Sequence, residues 1–401
     1  MHATDLHTKE FGYSELSREE IPALPALTTT IDLTQSYDAI WERVRNGFGM
    51  SDISDELVLT HQQWYLNRPE YLRRMIERSR PYLHHIVSQL EQRGMPTELA
   101  LLPMVESSYD PNAYSIAKAA GLWQFIPSTG KSYGLGQGWW EDERRDIVAS
   151  TSAALDYLQT IYEMHGDWHL ALASYNWGEG SVGRAIAKNI AKGLPTDYSS
   201  LTMPAETRHY VPKLQALKNI LGNPTLFARL NLPDVPNRPF FKQVSTPTPI
   251  DIKLAAKFAG MSLKDFIVLN PSHNLPVIKD QTVLIPTDKT EHFLENVQRY
   301  KAPLQTWETY TLKRGEKLEK IAPRFGLPLA ELKRINNLTD KTRSQPGQLL
   351  LVPGHANTDT VESLRDWKVP RYPVVTKKPV PKTSTAPKVP PKKLQKKHAT
   401  Q

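Results

Sequence analysis

A stretch of about 45 residues occurs twice in this 401-residue chain, and no other feature of the sequence restricts its architecture more. From Phe241 to Pro286, Leu254, Ala255 and Phe258 are followed by Leu263, Phe266, Leu269 and Asn270, and then by Gln281 and Leu284-Ile285-Pro286. From Tyr310 to Pro353 the same order returns as Ile321, Ala322 and Phe325, then Leu329, Leu332, Ile335 and Asn336, then Gln348 and Leu351-Val352-Pro353. Each copy reads as a strand, two short amphipathic helices and a returning strand. A βααβ unit this small has little apolar area to bury and must rely on compact packing. The copies are placed at 240–287 and 308–354.

Upstream the period changes. Through Tyr65, Tyr71, Met75, Ile76, Tyr82, Leu83, Ile86, Val87 and Leu90, and again through Ala153, Leu155, Tyr157, Leu158 and Ile161, apolar residues recur at helical spacing. Residues 37–232 are therefore expected to form one nearly all-helical domain. Pro233, Pro236 and Pro239 mark a linker, and residues 1–36 an irregular lead-in. The expected fold class is multidomain: a mainly α domain, two small βααβ modules, and a disordered Pro/Lys-rich tail over 369–401.

The net charge of +8 suggests a polyanion partner until it is located. From Arg371 onward the chain carries nine Lys and Arg and no acid, so the first 370 residues are close to neutral. The body gives no reason to expect nucleic acid, whereas a solvated basic tail is suited to anionic envelope polymers. With no cysteine there are no disulfides, thiol catalysis or thiolate metal sites. No apolar run is long enough to span a membrane. The first residues lack the pattern of a signal peptide, so export requires a signal outside this chain.

Chemistry concentrates between Pro96 and Tyr133. Pro96 suits a helix start, and Leu99, Leu101, Leu102, Met104 and Val105 make that helix apolar almost all round, hence buried. Glu106 ends it, before Ser107-Ser108-Tyr109-Asp110-Pro111. A carboxyl at a helix C-terminus among apolar neighbours has its pKa raised by the dipole and by lost water, as a general acid requires. A frayed end with Glu106 in solvent is the alternative on this stretch alone. Gly121-Leu122-Trp123-Gln124 and Ser174-Tyr175-Asn176-Trp177-Gly178-Glu179-Gly180 each combine glycine, an aromatic and an amide, the ingredients of sugar sites.

Glu106-Ser107, Gly121-Leu122-Trp123-Gln124 and Tyr175-Asn176-Trp177-Gly178 resemble, in order, three motifs of the soluble-type (family 1) lytic transglycosylases. Glu206-Thr207-Arg208-His209-Tyr210-Val211-Pro212-Lys213 resembles the fourth, in the form found in membrane-bound members. The resemblance covers about residues 60–230. It implies a goose-type lysozyme-like fold and a carbon–oxygen lyase acting on the peptidoglycan of a Gram-negative periplasm, associated with the outer membrane or the wall. It also implies that Glu106 is the catalytic acid and then base, with Ser107, Gln124, Tyr175, Asn176 and Tyr210 binding N-acetylmuramic acid. The second repeat, with Tyr310-Thr311-Leu312-Lys313-Arg314-Gly315-Glu316, Asn336-Asn337-Leu338 and Pro346-Gly347-Gln348, resembles a LysM module, which implies binding to N-acetylglucosamine-containing glycan. The first lacks the Arg-Gly-Glu turn, and a structural spacer suits it equally well.

Ordinary glycosidases use two carboxylates. Asp110 reads as a turn former and Glu179 as a loop charge, so no second one stands out. One carboxyl group suffices if the substrate's own N-acetyl group shields the developing cation and its 6-hydroxyl attacks the anomeric carbon. That chemistry, implied by the family, leaves a 1,6-anhydromuramyl end. A lysozyme-like hydrolase and a non-catalytic peptidoglycan-binding protein are the other readings. No cofactor or metal is expected: His165 and His169 lie four apart, but Gly166 interrupts the helix between them and no carboxylate completes a zinc motif. Trp139-Trp140-Glu141-Asp142-Glu143-Arg144-Arg145-Asp146 is read either as cleft lining or as a salt-linked helix start.

Overall fold

The computed structural model describes residues 37–340 and 344–354. The expected lead-in over 1–36 and the tail over 369–401 lie outside the described residues.

Helices follow one another through the first part: α1 Ile40–Asn46, α2 Glu56–Leu66, α3 Pro69–Ser79, α4 Leu83–Gln92, α5 Leu102–Glu106, α6 Pro127–Ser132, α7 Ile147–His165, α8 Trp168–Trp177, α9 Glu179–Ile190, α10 Ala205–Leu221 and α11 Pro224–Arg229. Their starts are written in the sequence. Asp55, Asp146 and Asp167 each accept backbone N–H groups of the first turn of α2, α7 and α8. Pro69 occupies the first turn of α3, where its missing N–H costs nothing. Helix α10 runs centrally, against α2, α8 and the segment that leads to Glu106.

That segment is not the continuous α-helix the apolar pattern predicts. Thr97–Leu101 forms a 3-10 turn, and α5 begins only at Leu102. Pro103 has no N–H to return to Leu99, and the Leu102 N–H goes instead to the Leu99 carbonyl. The whole segment from Thr97 to Met104 is nevertheless buried. Glu98 within it has no exposure. Its carboxylate accepts the N–H groups of Gly49 and Met50 and an ion pair at 3.0 Å from Lys218 of α10. Lys218 in turn reaches Asp52 at 2.8 Å.

The region 107–146 is largely turns and single bridges, Tyr114 with Ala120 and Ala120 with Phe125 among them, rather than helix. The proline stretch expected to be a linker is bound into the body: Pro236 bridges Ala39, and Leu232 and Val235 are buried.

The repeat appears as two antiparallel strand pairs. Strands β1 Phe241–Ser245 and β4 Thr282–Pro286 pair with Phe241 opposite Pro286, and β5 Trp307–Thr311 and β6 Leu349–Pro353 pair with Trp307 opposite Pro353. Between them lie α12 Ile252–Phe258 and α13 Leu263–Leu269 in the first copy, and α15 Leu318–Arg324 and α16 Leu329–Ile335 in the second. The first copy adds a short pair, β2 Ile250–Asp251 with β3 Val277–Ile278, and a trailing α14 Thr290–Arg299. The repeated asparagine explains why both copies close alike. Asn270 exchanges two hydrogen bonds with the backbone of Leu284, at 2.9 and 2.7 Å. Asn336 does the same with Leu351, at 2.9 and 2.6 Å. A buried amide pays for its own desolvation only when both its ends are satisfied, as here.

The first copy packs on the helical part. Val268, Leu269, Leu284 and Phe241 join the helical core, the Tyr82 hydroxyl donates to the Val268 carbonyl at 2.8 Å, and Trp139 and Trp140 pack on the apolar cluster of the modules. Its Asp251 carboxylate accepts the N–H and hydroxyl of Thr306, which ties it to the chain entering β5.

Candidate active site

Glu106 is the last residue of α5 and faces a cleft of about 470 Å³. Ser108 and Tyr109, with φ of 53° and 57°, turn the chain away immediately after it. Such left-handed conformations in non-glycine residues persist only where surroundings impose them. Here the Tyr71 hydroxyl bonds Ser108 Oγ at 2.6 Å, and the Tyr109 hydroxyl donates to the Ala100 carbonyl at 2.6 Å. The carboxyl group is thereby held at the wall.

Tyr210, buried on α10, donates its hydroxyl to Glu106 Oε1. Burial pushes the Glu106 carboxyl up to about 7; the Tyr210 hydrogen bond opposes this, the nearby Glu206 charge adds to it, and Lys213 opposes it. Lost water is therefore the main cause, as expected for a carboxyl kept protonated near neutrality. With Oε1 taken by Tyr210, Oε2 is the atom left to carry a proton into the cleft. The same burial, with the Glu106 charge, holds the Tyr175 and Tyr210 hydroxyls well above the ordinary phenol range, so both remain donors.

The Gly121-Leu122-Trp123-Gln124 motif forms one wall. Gly121 has φ of +81°, and a Cβ there would meet the Arg144 carbonyl at 2.1 Å, so only glycine fits. Gln124, at φ 49°, lines the cleft while its amide donates to the carbonyls of Gly121 and Ala113 at 2.9 and 3.2 Å. Its Oε1 is thus the end left for a ligand. Tyr175 and Asn176, from the end of α8, line the opposite side. Tyr175 donates to the Trp123 carbonyl at 2.8 Å, and Asn176 Oδ1 accepts the Thr207 hydroxyl at 2.8 Å, which leaves the Asn176 N–H groups for a ligand.

Glu106, Gln124, Tyr175, Asn176 and Tyr210 therefore share one cleft. Ser107 does not line it: its hydroxyl is directed at the carbonyls of Pro103 and Leu122, at 3.1 and 2.9 Å. Trp123 is wholly buried, with its indole N–H on Thr151 Oγ1, and belongs to the core. Trp177 does reach the cleft.

Three charged lining residues were given no site role from the sequence. Glu179, read as a loop charge, lines the cleft and accepts the Tyr157 hydroxyl at 2.8 Å. Glu206 and Lys213, one turn to either side of Tyr210 on α10, line it too. The expectation of a lone carboxylate is thus corrected: Glu106 shares its cleft with two others. The α10 spacing was the available signal, since positions 206, 210 and 213 fall on one helical face.

His165 bonds Ser174 Oγ at 2.9 Å and His169 the Ser51 carbonyl at 3.0 Å. The Trp139–Asp146 stretch is a salt-linked helix start, with Asp142 on Arg144 at 2.7 Å and Asp146 capping α7. Among the described residues no helix is long and apolar enough to cross a membrane.

Residues 86–194 match the transglycosylase SLT domain family, residues 240–302 the LysM-like domain of lytic transglycosylase MltD, and residues 310–353 the LysM domain family. The chain is 36% identical over 329 residues to membrane-bound lytic murein transglycosylase D of Escherichia coli strain K12, covering 78% of this chain and 72% of that protein. The protein of the same name from Escherichia coli O6:H1 matches to the same extent. A mainly helical, lysozyme-like domain followed by small LysM modules is the architecture those matches describe. The chain belongs to the lytic murein transglycosylase family.

Proposed function

We propose that this chain cleaves the β-1,4 bond between N-acetylmuramic acid and N-acetylglucosamine in peptidoglycan, without water, and that it belongs to the soluble-type (family 1) branch. The observation that carries the proposal is Glu106: a carboxyl raised to about 7 in a cleft whose walls are tyrosine and amide groups. Protonated Glu106 gives its proton to the glycosidic oxygen as the C1–O bond breaks. The muramyl N-acetyl carbonyl shields the cation at C1. Glu106, now a carboxylate, takes the proton of the C6 hydroxyl as that oxygen bonds C1, which leaves a 1,6-anhydro ring and returns the acid to its first state.

Gln124, through Oε1, and Asn176, through its N–H groups, hold N-acetyl and hydroxyl groups, and Tyr210 orients the carboxyl. Ser107 acts as a positioning residue, linking the turn after Glu106 to Leu122. Glu179 and Glu206 are alternative second carboxylates for a hydrolytic, lysozyme-like route. Glu179 is engaged by Tyr157, and Glu206 lies exposed at the start of α10, so each fits a charge that tunes the cleft better than a base that activates water. The second module supplies wall binding through N-acetylglucosamine, while the first, fixed against the helical part, serves as a structural spacer. The place of action is the periplasm of a Gram-negative envelope, at the wall or outer membrane, with the basic tail toward anionic polymers.

Purified sacculi treated with wild type and Glu106→Gln test the proposal. The variant is expected to sediment with sacculi as the wild type does and to solubilise none. Solubilisation by the variant at the wild-type rate would remove Glu106 from the mechanism.

A further inference from the structure

Away from the cleft, where the helical part meets the first module, a second group of chemistry-bearing side chains gathers. Glu141 comes from the loop before α7; His273 and Asp280 flank β3 of the module. One ligand-type atom from each, two carboxylate oxygens and an imidazole nitrogen, lies within 4.8 Å of the others. We infer that Glu141, His273 and Asp280 form a binding site for one divalent transition-metal cation of the zinc class, which ties the first module to the helical part.

The observation that sets this group apart from ordinary surface acids is His273. The residue is only 5% exposed, and one of its ring nitrogens lies within 4.8 Å of a carboxylate oxygen of both Glu141 and Asp280. A buried imidazole normally finds a donor or an acceptor, because an unmatched polar atom costs free energy. The Glu141 and Asp280 carboxylates face the ring and the Arg145 charge acts on it as well, and a cation between the three ligands matches the imidazole and both carboxylates together. Glu143 and Asp146 add negative charge close to Glu141. Of the neighbouring cations, Arg145 acts on His273 but directs its guanidinium to the Ser272 carbonyl and Asn274 Oδ1, and Lys279 sits 4.8 Å over the Trp140 ring.

The backbone around Glu141 and His273 is paired without any ion. Glu141 and His273 form an antiparallel bridge. On either side of it, the Asp142 N–H donates to the Ser272 carbonyl and the Asn274 N–H to the Trp140 carbonyl, both at 2.8 Å. The Asn274 amide also holds the Gly138 carbonyl at 3.0 Å. Ligands of a tetrahedral zinc ion lie roughly 3.4 Å apart, given metal–ligand distances of about 2.1 Å. Binding an ion therefore requires the side chains of half-buried Glu141 and exposed Asp280 to rotate inward. One nitrogen and two oxygens favour Zn²⁺ and its first-row neighbours over Ca²⁺, which prefers an all-oxygen shell, and water completes the coordination.

The test is calorimetric titration of the chelator-stripped full chain with ZnCl₂, with thermal unfolding followed alongside. One Zn²⁺ per chain and a higher Tm in excess metal are expected for the wild type. Asp280→Asn and Glu141→Gln, both outside the buried core, are each expected to weaken binding at least about tenfold and to remove the Tm increase. His273→Gln should abolish it, and the two carboxylate variants keep the test decisive if that buried substitution misfolds. Absence of stoichiometric binding by the wild type overturns the site. So does undiminished binding in both carboxylate variants, which would place the metal elsewhere.

Discussion

Glu98, at the start of the buried segment that ends in Glu106, meets a lysine and two backbone N–H groups, whereas Glu106 meets one tyrosine hydroxyl and no ion-pair partner among the described residues. The two differ in what surrounds them far more than in local sequence. Each sits on the same apolar stretch, and α10 supplies the partner of both: Lys218 for one, Tyr210 for the other. One helix thus gives one buried carboxylate an ion-pair partner and gives the other only a hydroxyl that orients it, while burial raises the pKa of the second. Lys218 and two backbone N–H groups match the Glu98 carboxylate and give it a structural role. A phenol beside Glu106 orients it while burial raises its pKa.

The largest effect is expected from Glu106→Gln. Its kcat on peptidoglycan should fall by about 10³-fold or more, with the fold intact. Because the folded pKa of Glu106, about 7, lies above the ordinary carboxylate value, the stability it contributes is present in acid and lost as pH rises through 7. The variant should therefore match wild type in Tm near pH 4 and exceed it at pH 8; a lower Tm at pH 8 would mean that Glu106 is paired after all. Glu98→Gln should behave in the opposite way. Removing one partner of a buried ion pair is expected to cost about 3 kcal/mol, read from denaturant unfolding, with the turnover of folded molecules nearly unchanged. Tyr210→Phe should lower kcat roughly tenfold, through misorientation of the acid. It should also move the alkaline limb of the pH–rate profile upward, since the lost hydrogen bond held the Glu106 pKa down. The smallest effects belong to the flanking charges. Glu206→Gln should move that limb down and Lys213→Met should move it up, and a profile indifferent to both would detach these residues from Glu106.

Much of this was legible in the sequence because local chemistry fixes it. Burial of the apolar run before Glu106, the helix start after residues 139–146, and the two βααβ modules with their matched asparagines follow from pattern alone. Glu106 stood out because it ends an apolar run before a stop and two motifs of glycine, aromatic and amide follow it, whereas the run alone also allowed a frayed end in solvent. What escaped depends on chain segments meeting across long separations. Glu98 stands only two residues beyond Pro96, yet nothing local predicts that Lys218 will reach it. Glu179 reads as a loop charge until α7 brings Tyr157 to it. Ser107 carries a motif position, but its hydroxyl turns to the backbone because the Leu122 carbonyl lies within 2.9 Å. The prolines at 233–239 look like a linker, and only the folded body shows Pro236 bridging Ala39.

The most direct test of the account is mass spectrometry of the muropeptides that wild-type protein releases from purified peptidoglycan. Fragments one water lighter than hydrolytic products, with 1,6-anhydromuramyl ends, are expected from the wild type, and none from Glu106→Gln. Reducing-end muramyl products would contradict it and assign a water-activating role to Glu179 or Glu206.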